Sequence, residues 1–177
     1  MNKKKIIFFD GDGTLWYPIK TKRKEAPHWI YLDKQMKKNY KKYLVLTPTT
    51  LFTLKKLSKI GIITILLSTH PQKPREANLI LKNKVKHFKI NNLFNKIYAT
   101  KPYHESKGEF IINILKKLKI SKNQALMVGD SYDWDYKPAK NVGIDALLIE
   151  SDYRMKHKNG RDVKNIIKNL KDVLKYV

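Results

Sequence analysis

Short apolar runs alternate with amphipathic helical patterns along most of this chain. The first run, Ile6 to Phe9, is continuously apolar, which is typical of a strand covered on both faces, and it predicts a first strand at residues 3–10. Similar runs predict four further strands, at residues 62–68, 96–100, 124–130 and 144–150. Helical patterns lie between and after these runs, at residues 47–61, 74–88, 106–118, 134–143 and 162–175.

This order of elements predicts an α/β fold. Strands that alternate with helices form a parallel sheet with right-handed crossovers, so we expect a Rossmann-like three-layer sandwich with about five central strands and helices on both faces. The first predicted helix begins with Thr47 as its cap and Pro48 in its first turn. Residues 17–46 are polar, aromatic and lysine-rich without clear periodicity, and we interpret them as a short flap or minimal cap inserted into one domain that spans residues 1–177.

Composition narrows the class of protein. The chain contains no cysteine, which excludes disulfides and thiolate metal sites and is compatible with a reducing compartment. Its apolar runs are much shorter than the ~20 residues that cross a bilayer, and no hydrophobic stretch of signal-peptide length precedes Asp10. We therefore expect a soluble, cytoplasmic protein with no membrane partner.

The formal net charge of +23 raises the question of nucleic-acid binding. Of the 38 basic residues, however, 34 are lysines spread over the whole chain, and arginine, the preferred reader of phosphates and bases, occurs four times. Solvated lysine surfaces are the simpler interpretation. The dense cluster from Lys20 to Lys42 keeps a nucleic-acid partner possible but not favoured.

Polar residues capable of chemistry stand at the ends of the predicted strands. Asp10 and Asp12 follow the first strand, Ser68 ends the second, Lys101 follows the third and Asp130 ends the fourth. Ligands of open parallel sheets bind outside the carboxyl ends of the strands, where these residues are expected to meet. The convergence predicts a functional site at that edge.

The segment "DGDGT" (residues 10–14) has two plain alternatives, an Asx-Gly turn and a calcium loop. The calcium loop is excluded, because Leu15 replaces the required glycine and Thr21 the required glutamate. Two neighbouring carboxylates repel each other unless a cation lies between them, and oxygen ligands suit Mg²⁺. Asp10 is then a candidate nucleophile and Asp12 a candidate general acid and base.

A second acidic cluster, "VGDSYDWD", follows the fourth strand. Acids that precede a helix are often only solvated residues that the helix dipole stabilises, but Asp130 directly follows a predicted buried strand at the edge where Asp10 lies.

Lys107 opens a predicted helix, where a cation is unfavourable unless it faces an anion. The five histidines show no spacing typical of metal ligands.

Taken together, "FFDGDGTLW", "LLST", "ESKGEF" and "VGDSYDWD" resemble the four motifs of the haloacid dehalogenase-like hydrolase superfamily, over about residues 4–150. Finer features, "TLWYP" and "EANLIL", are similar to its magnesium-dependent phosphatase branch. The resemblance implies a role for each matching residue. These roles are Asp10 as phosphate-accepting nucleophile, Asp12 as general acid and base, Ser68 and Thr69 as phosphate-binding residues, Lys107 as the lysine that neutralises the phosphoryl group, Asp10, Asp12 (through its backbone carbonyl) and Asp130 as Mg²⁺ ligands, and Thr14 and Asp135 as supporting residues.

Two assignments within the resemblance stay open: Asp133 competes with Asp135 as the second acid of the last motif, and Lys101 competes with Lys107. The short insertion resembles capless members of the superfamily, which act on large or exposed phosphates. We predict a Mg²⁺-dependent phosphatase that hydrolyses a phosphomonoester through an aspartyl-phosphate. The alternatives are a polynucleotide-end phosphatase that uses the basic surface and a non-catalytic phosphate-binding protein.

Overall fold

A computed structural model of the protein describes residues 3–22, 24–25, 30, 36–101, 106–151, 163 and 165–177. The strands of this part of the chain are β1 (Ile6–Phe9), β2 (Trp16–Pro18), β3 (Leu44–Leu46), β4 (Ile63–Thr69), β5 (Lys96–Thr100), β6 (Ala125–Gly129), β7 (Asp145–Ile149) and β8 (Ile166–Ile167). The α-helices are α1 (Met36–Asn39), α2 (Thr50–Lys59), α3 (Pro74–His87), α4 (Lys107–Leu118) and α5 (Lys137–Asn141).

Six of the strands form one parallel sheet in the order β5-β4-β1-β6-β7-β8. The predicted Rossmann-like α/β fold is confirmed, with one strand more than the sequence predicts. The central strand is β1, paired with β4 on one side and β6 on the other. The carboxyl ends of these three strands therefore lie next to one another at the middle of one sheet edge.

Side chains of β1 alternate between two apolar layers. Ile7 and Phe9 belong to one hydrophobic cluster and Ile6 and Phe8 to another, and all four are fully buried. The first cluster includes residues of α2 and α3, and the second residues of α4 and α5, so helices cover both faces of the sheet. This double coverage explains why β1 is continuously apolar.

The first predicted helix starts later than expected. Its N-terminal residue is Thr50, and Thr49 before it has a left-handed backbone with φ of 68°. The predicted cap at Thr47 is wrong, because residues 47–49 form a turn before the helix and the Thr47 hydroxyl, within the described residues, makes no capping hydrogen bond. The Thr47 amide instead donates to the Leu15 carbonyl at 2.9 Å, which ties this turn to the first loop.

The C-terminal segment also differs from its prediction. Instead of a helix over residues 162–175, the described part forms β8, which pairs with β7 through Leu148 and Ile149, and a 3₁₀ helix at Leu170–Tyr176. An apolar pattern alone does not separate these outcomes, since the edge of β7 offers backbone partners that only a strand can use. Leu170 and Val173 still pack into the core.

Residues of the predicted flap, 17–46, are bounded by a small antiparallel sheet in which β2 pairs with β3. Its described part also holds α1 and a 3₁₀ turn at Tyr40–Tyr43. The role of this segment as a cap, and the single-domain boundary of 1–177, stay predictions. His28 and Trp29 of this segment lie outside the described residues. Within the described ranges, every helix is too short or too polar to span a bilayer.

Candidate active site

Three strand ends bring most of the predicted site residues together. Asp10 directly follows β1, Ser68 lies in the last part of β4, and Asp130 directly follows β6. All three are buried, with exposed fractions of 6%, 1% and 3%. The Asp10 amide donates to the Val128 carbonyl of β6 at 2.9 Å, which fixes the start of the acidic loop to the sheet.

Lys107 contacts the predicted nucleophile directly. Its Nζ donates to Asp10 Oδ1 at 2.6 Å and to Asp135 Oδ1 at 2.5 Å, and Lys107 is 2% exposed. Burial lowers the pKa of Lys107, but the carboxylates of Asp10 and Asp135 together raise it by more, so its pKa lies above its usual range. The lysine opens α4 behind Ser106, whose Oγ accepts from the Gly108 amide at 3.2 Å. This cation at a helix N-terminus does face anions, as the sequence suggests.

Opposing effects act on the pKa of Asp10. Burial raises this pKa, Lys107 lowers it and the neighbouring Asp135 raises it, and the net result is a pKa of about 6. Two buried carboxylates thus share one ammonium group. The cluster carries excess negative charge when both acids are ionised, which is the electrostatic condition under which a cation binds.

Asp135 reaches the cluster through a single π turn at Tyr132–Tyr136. The Tyr136 amide donates to the Ser131 carbonyl at 3.0 Å, and Asp135 Oδ2 accepts from the Ser131 amide at 2.9 Å. This turn is wider than an α-helical turn, and it directs Asp135 toward Lys107 while Asp133 stays exposed. The π turn accommodates the long interval between Asp130 and Asp135, the feature that made Asp133 a competitor of Asp135 in the sequence.

Gly129 makes room for this arrangement. A methyl group at its Cα would lie 2.3 Å from the carboxyl group of Asp135, closer than real contacts allow. Gly11 has a similar role in the first loop, where a methyl group would lie 2.6 Å from the Trp16 ring and 3.2 Å from Ser68 Oγ. The absence of a side chain lets Asp135 pack against Gly129 and lets Trp16 and Ser68 pack against Gly11.

Asp10, Asp130 and Asp135 form a buried acidic trio whose carboxylate oxygens lie within 4.8 Å of one another. An all-oxygen set of this size fits a hard divalent cation such as Mg²⁺. The Thr14 hydroxyl lies 3.5 Å from Asp130 Oδ1, to which it donates. Asp135 already accepts hydrogen bonds on both oxygens, which favours Asp10 and Asp130 as the residues available to a metal.

The predicted phosphate-binding residues of β4 have different surroundings. Ser68 is buried beside the acidic loop, close to Gly11. Thr69 is partly exposed, and its Oγ1 lies 3.1 Å from Thr100 Oγ1 of the neighbouring strand. The Thr69 hydroxyl therefore has a partner within the sheet.

Asp12 has partners that the sequence does not predict. Its Oδ2 accepts from Lys84 Nζ at 2.7 Å, and its Oδ1 accepts from Trp16 Nε1 at 2.8 Å. Lys84 is fully buried in the last turn of α3. Among 34 lysines it has no local signal except its place on the apolar face of that helix, between the buried residues Leu81 and Val85.

Lys101, the competitor of Lys107, differs from it in burial. Lys101 is exposed, whereas Lys107 is buried against Asp10. His70 is buried and contacts Gln72 through Nδ1. His104 and His157 fall outside the described residues.

Sequence comparison identifies the family. The family model described as haloacid dehalogenase-like hydrolase matches residues 3–149, and this chain belongs to that family. A protein of Mycoplasma capricolum subsp. capricolum is 30% identical over 82 residues, which are 46% of this chain and 27% of that protein. The chain thus spans about a quarter of the curated relative that it matches.

Solved structures show the same fold over nearly the whole chain. A haloacid dehalogenase-like family hydrolase, SP0104 from Streptococcus pneumoniae, has a TM-score of 0.71 and 22% identity, with 99% of each chain covered. A protein described as a predicted phosphoglycolate phosphatase from Haemophilus somnus has a TM-score of 0.70 and 17% identity, with 99% of this chain and 98% of that chain covered. A protein from Listeria monocytogenes serotype 4b has a TM-score of 0.70 and 21% identity, covering 97% and 95%.

Proposed function

We propose that the protein is a Mg²⁺-dependent phosphatase that hydrolyses a phosphomonoester through an aspartyl-phosphate on Asp10. The observation that carries this proposal is the buried contact of Lys107 with Asp10, beside Asp130 and at the carboxyl edge of the sheet. A nucleophilic carboxylate, a fixed ammonium group and a hard-cation site are the three elements that transfer of a phosphoryl dianion requires.

In the first half-reaction, an Asp10 oxygen attacks phosphorus while the bond to the leaving oxygen breaks. Asp12 enters this step protonated and donates that proton to the leaving oxygen, so the alcohol leaves neutral and Asp12 becomes the carboxylate that Lys84 and Trp16 contact. Lys107 lies against Asp10 and offers a positive charge to the equatorial oxygens. Ser68, which is buried beside the acidic loop, would donate its hydroxyl hydrogen to one of them.

In the second half-reaction, Asp12 removes a proton from water, and the water oxygen attacks phosphorus. The bond between phosphorus and Asp10 breaks, which releases inorganic phosphate and restores the carboxylate. Asp10, Asp130 and the Asp12 carbonyl would hold Mg²⁺, which neutralises phosphate charge when bound. Asp135 would keep Lys107 in place.

The test is phosphate release from sugar, nucleotide, glycolate-type, peptide and oligonucleotide phosphates, with Mg²⁺ and with EDTA. Asp10→Asn should abolish release, and Asp133→Asn, a charge-matched change at an exposed site, should not. Metal-independent release, or release that Asp10→Asn retains, contradicts the proposal. Release from oligonucleotide ends that falls steeply with salt would favour a polynucleotide-end phosphatase.

The family implies phosphorylated small molecules as the first substrates to try. Mg²⁺ binding without release from any ester would favour the phosphate-binding alternative. A capless architecture over residues 17–46 and a cytoplasmic location belong to the same proposal.

A further inference from the structure

Lys84 lies in the last turn of α3, and its complete burial is unusual for a lysine. Its ammonium group is fully buried, on a helix face whose other buried residues include Ala77, Leu81 and Val85. Burial lowers the pKa of Lys84, and the nearby carboxylate of Asp12 opposes that change. An apolar side chain would pack there without a desolvation penalty, and replacing a buried ion pair by apolar groups is often neutral or stabilising. Packing alone therefore does not account for a lysine at this position.

The Lys84 ammonium group is fixed from several directions. It lies 2.7 Å from Asp12 Oδ2, 5.4 Å from the centre of the Trp16 ring and 6.0 Å from the centre of the Tyr40 ring. Both rings are within the range of cation–π attraction. Tyr40 belongs to the segment between β2 and β3, so part of the predicted flap contacts the lysine that holds Asp12.

Trp16 holds the other oxygen of the same carboxylate. Its indole N–H donates to Asp12 Oδ1 at 2.8 Å, and its ring is fully buried and stacked on Phe88, with 5.9 Å between the ring centres. Gly11 permits this position, because a methyl group there would collide with the ring. The two donors come from different elements, β2 and α3, and both are rigidly packed.

We propose that Lys84 and Trp16 are positioning residues that hold the two oxygens of the Asp12 carboxylate in the orientation needed for proton transfer during phosphoester hydrolysis. The inference rests on the proposed function. A general acid must lie within hydrogen-bond reach of the oxygen that it protonates, and a displacement of about 1 Å can lower a rate by ~10²-fold. Lys84 acts through Asp12 and is not assigned a contact with the substrate.

The experiment compares Lys84→Met with Lys82→Met, an exposed lysine of the same helix. Two substrates are used: p-nitrophenyl phosphate, whose leaving group departs without protonation, and glycerol phosphate, whose leaving alkoxide requires it. We expect Lys84→Met to lower kcat/KM for glycerol phosphate about 10- to 100-fold and for p-nitrophenyl phosphate less than about 3-fold. Lys82→Met should leave both unchanged.

A double-mutant cycle separates positioning from a structural role. In an Asp12→Asn background, Lys84→Met should cause no further loss, because its effect passes through the carboxylate. The indole N–H resonance of Trp16, assigned by its absence in Trp16→Phe, should shift in Lys84→Met. If Lys84→Met does not fold, Lys84→Gln keeps a donor of similar size and is tested in the same way.

The outcomes are distinguishable. Equal losses for both substrates, an additional loss in the Asp12→Asn background, an unshifted indole resonance or activity equal to wild type each overturns the inference and leaves the phosphatase intact. If the wild-type protein releases phosphate from neither ester nor from the wider substrate set, the proposed function is overturned, and the inference falls with it.

Discussion

The ammonium group of Lys107 lies 2.6 Å from Oδ1 of Asp10, although 97 positions separate the two residues in the chain. Asp10 follows the central strand and Lys107 opens α4, so the contact depends on how α4 packs against the sheet. The same lysine also contacts Asp135, at 2.5 Å. One cation thus joins three of the four segments in which the sequence resembles the motifs of the family.

Replacement of Lys107 by methionine removes the charge and keeps most of the length of the side chain. It leaves Asp10 and Asp135 as buried neighbours without a cation, and loss of one partner of a buried pair typically costs about 3–5 kcal/mol of unfolding free energy. We expect kcat to fall at least ~10²-fold, since a donor to the transition-state charge is lost. Lys101→Met, at an exposed position, is the control, and phosphate release and thermal unfolding are the measurements. Activity near wild type in Lys107→Met would contradict its assigned role.

The acidity of Asp10 predicts how Mg²⁺ binding depends on pH. Burial raises its pKa from 3.8 to about 6 in the metal-free protein, so a proton competes with the metal below about pH 6. The apparent dissociation constant for Mg²⁺ should rise as pH falls below this value, by up to ~10-fold per unit, and level off above it. Titration calorimetry in two buffers of different ionisation enthalpy measures both the affinity and the proton released. Binding that is independent of pH between 5 and 7 would contradict this prediction.

The same shift has a consequence for the stability of the metal-free fold. Because the folded-state pKa of Asp10 is raised, its contribution to stability is full below about pH 3.8 and is lost as pH rises through about 6. With EDTA present, the Asp10→Asn variant should therefore gain stability relative to wild type as pH increases over that interval. Denaturant unfolding at pH 5 and pH 7 measures this difference, and a variant that loses stability relative to wild type between these two pH values would contradict the prediction.

Gly129→Ala tests whether Asp135 must occupy its observed place. The added methyl group would lie 2.3 Å from the Asp135 carboxyl, so that carboxyl has to move away from Lys107. We expect a loss of kcat/KM of at least ~10-fold, since misplacement of a catalytic group is costly. Gly61→Ala is a useful control, because Gly61 has a φ of +76° with no atom within 4 Å of the added methyl group. That variant should lose about 1 kcal/mol of stability without a change in the pH or metal dependence of activity.

The local apolar pattern was enough to predict the order of strands and helices along the chain as far as β7. It also predicted that Asp10, Ser68 and Asp130 lie at one edge of the sheet. These features follow from the continuous apolar runs and from the rule that parallel strands end at a common edge. The sixth strand was not predictable in this way, because Ile166 and Ile167 carry no pattern that separates a strand from a helix. Their conformation depends on the free edge of β7.

Lys84 was missed for a related reason. A lysine on an apolar helix face is recognisable only if every position of the helix is assigned to a face, and its partner Asp12 lies 72 residues earlier. The choice between Asp133 and Asp135 likewise depended on the π turn, which inserts one residue into a helical turn and has no clear sequence signal. Both the burial of Lys84 and the contact of Asp135 with Lys107 depend on pairs of side chains from elements that are distant in the sequence.

The Asp135→Asn variant tests whether Asp135 or Asp133 is the acid that acts on Lys107. The change keeps the shape of the side chain and an oxygen that can accept from the Ser131 amide, but it removes the charge that faces Lys107. Loss of a charged hydrogen bond typically costs about 1.5–3 kcal/mol, which corresponds to a fall in melting temperature of several degrees for a chain of this size. Asp133→Asn, two residues earlier and exposed, should change the unfolding free energy by less than about 0.5 kcal/mol and leave kcat/KM unchanged. A larger loss of activity in Asp133→Asn than in Asp135→Asn would reverse the assignment, since only a carboxylate that faces Lys107 keeps that lysine directed at Asp10.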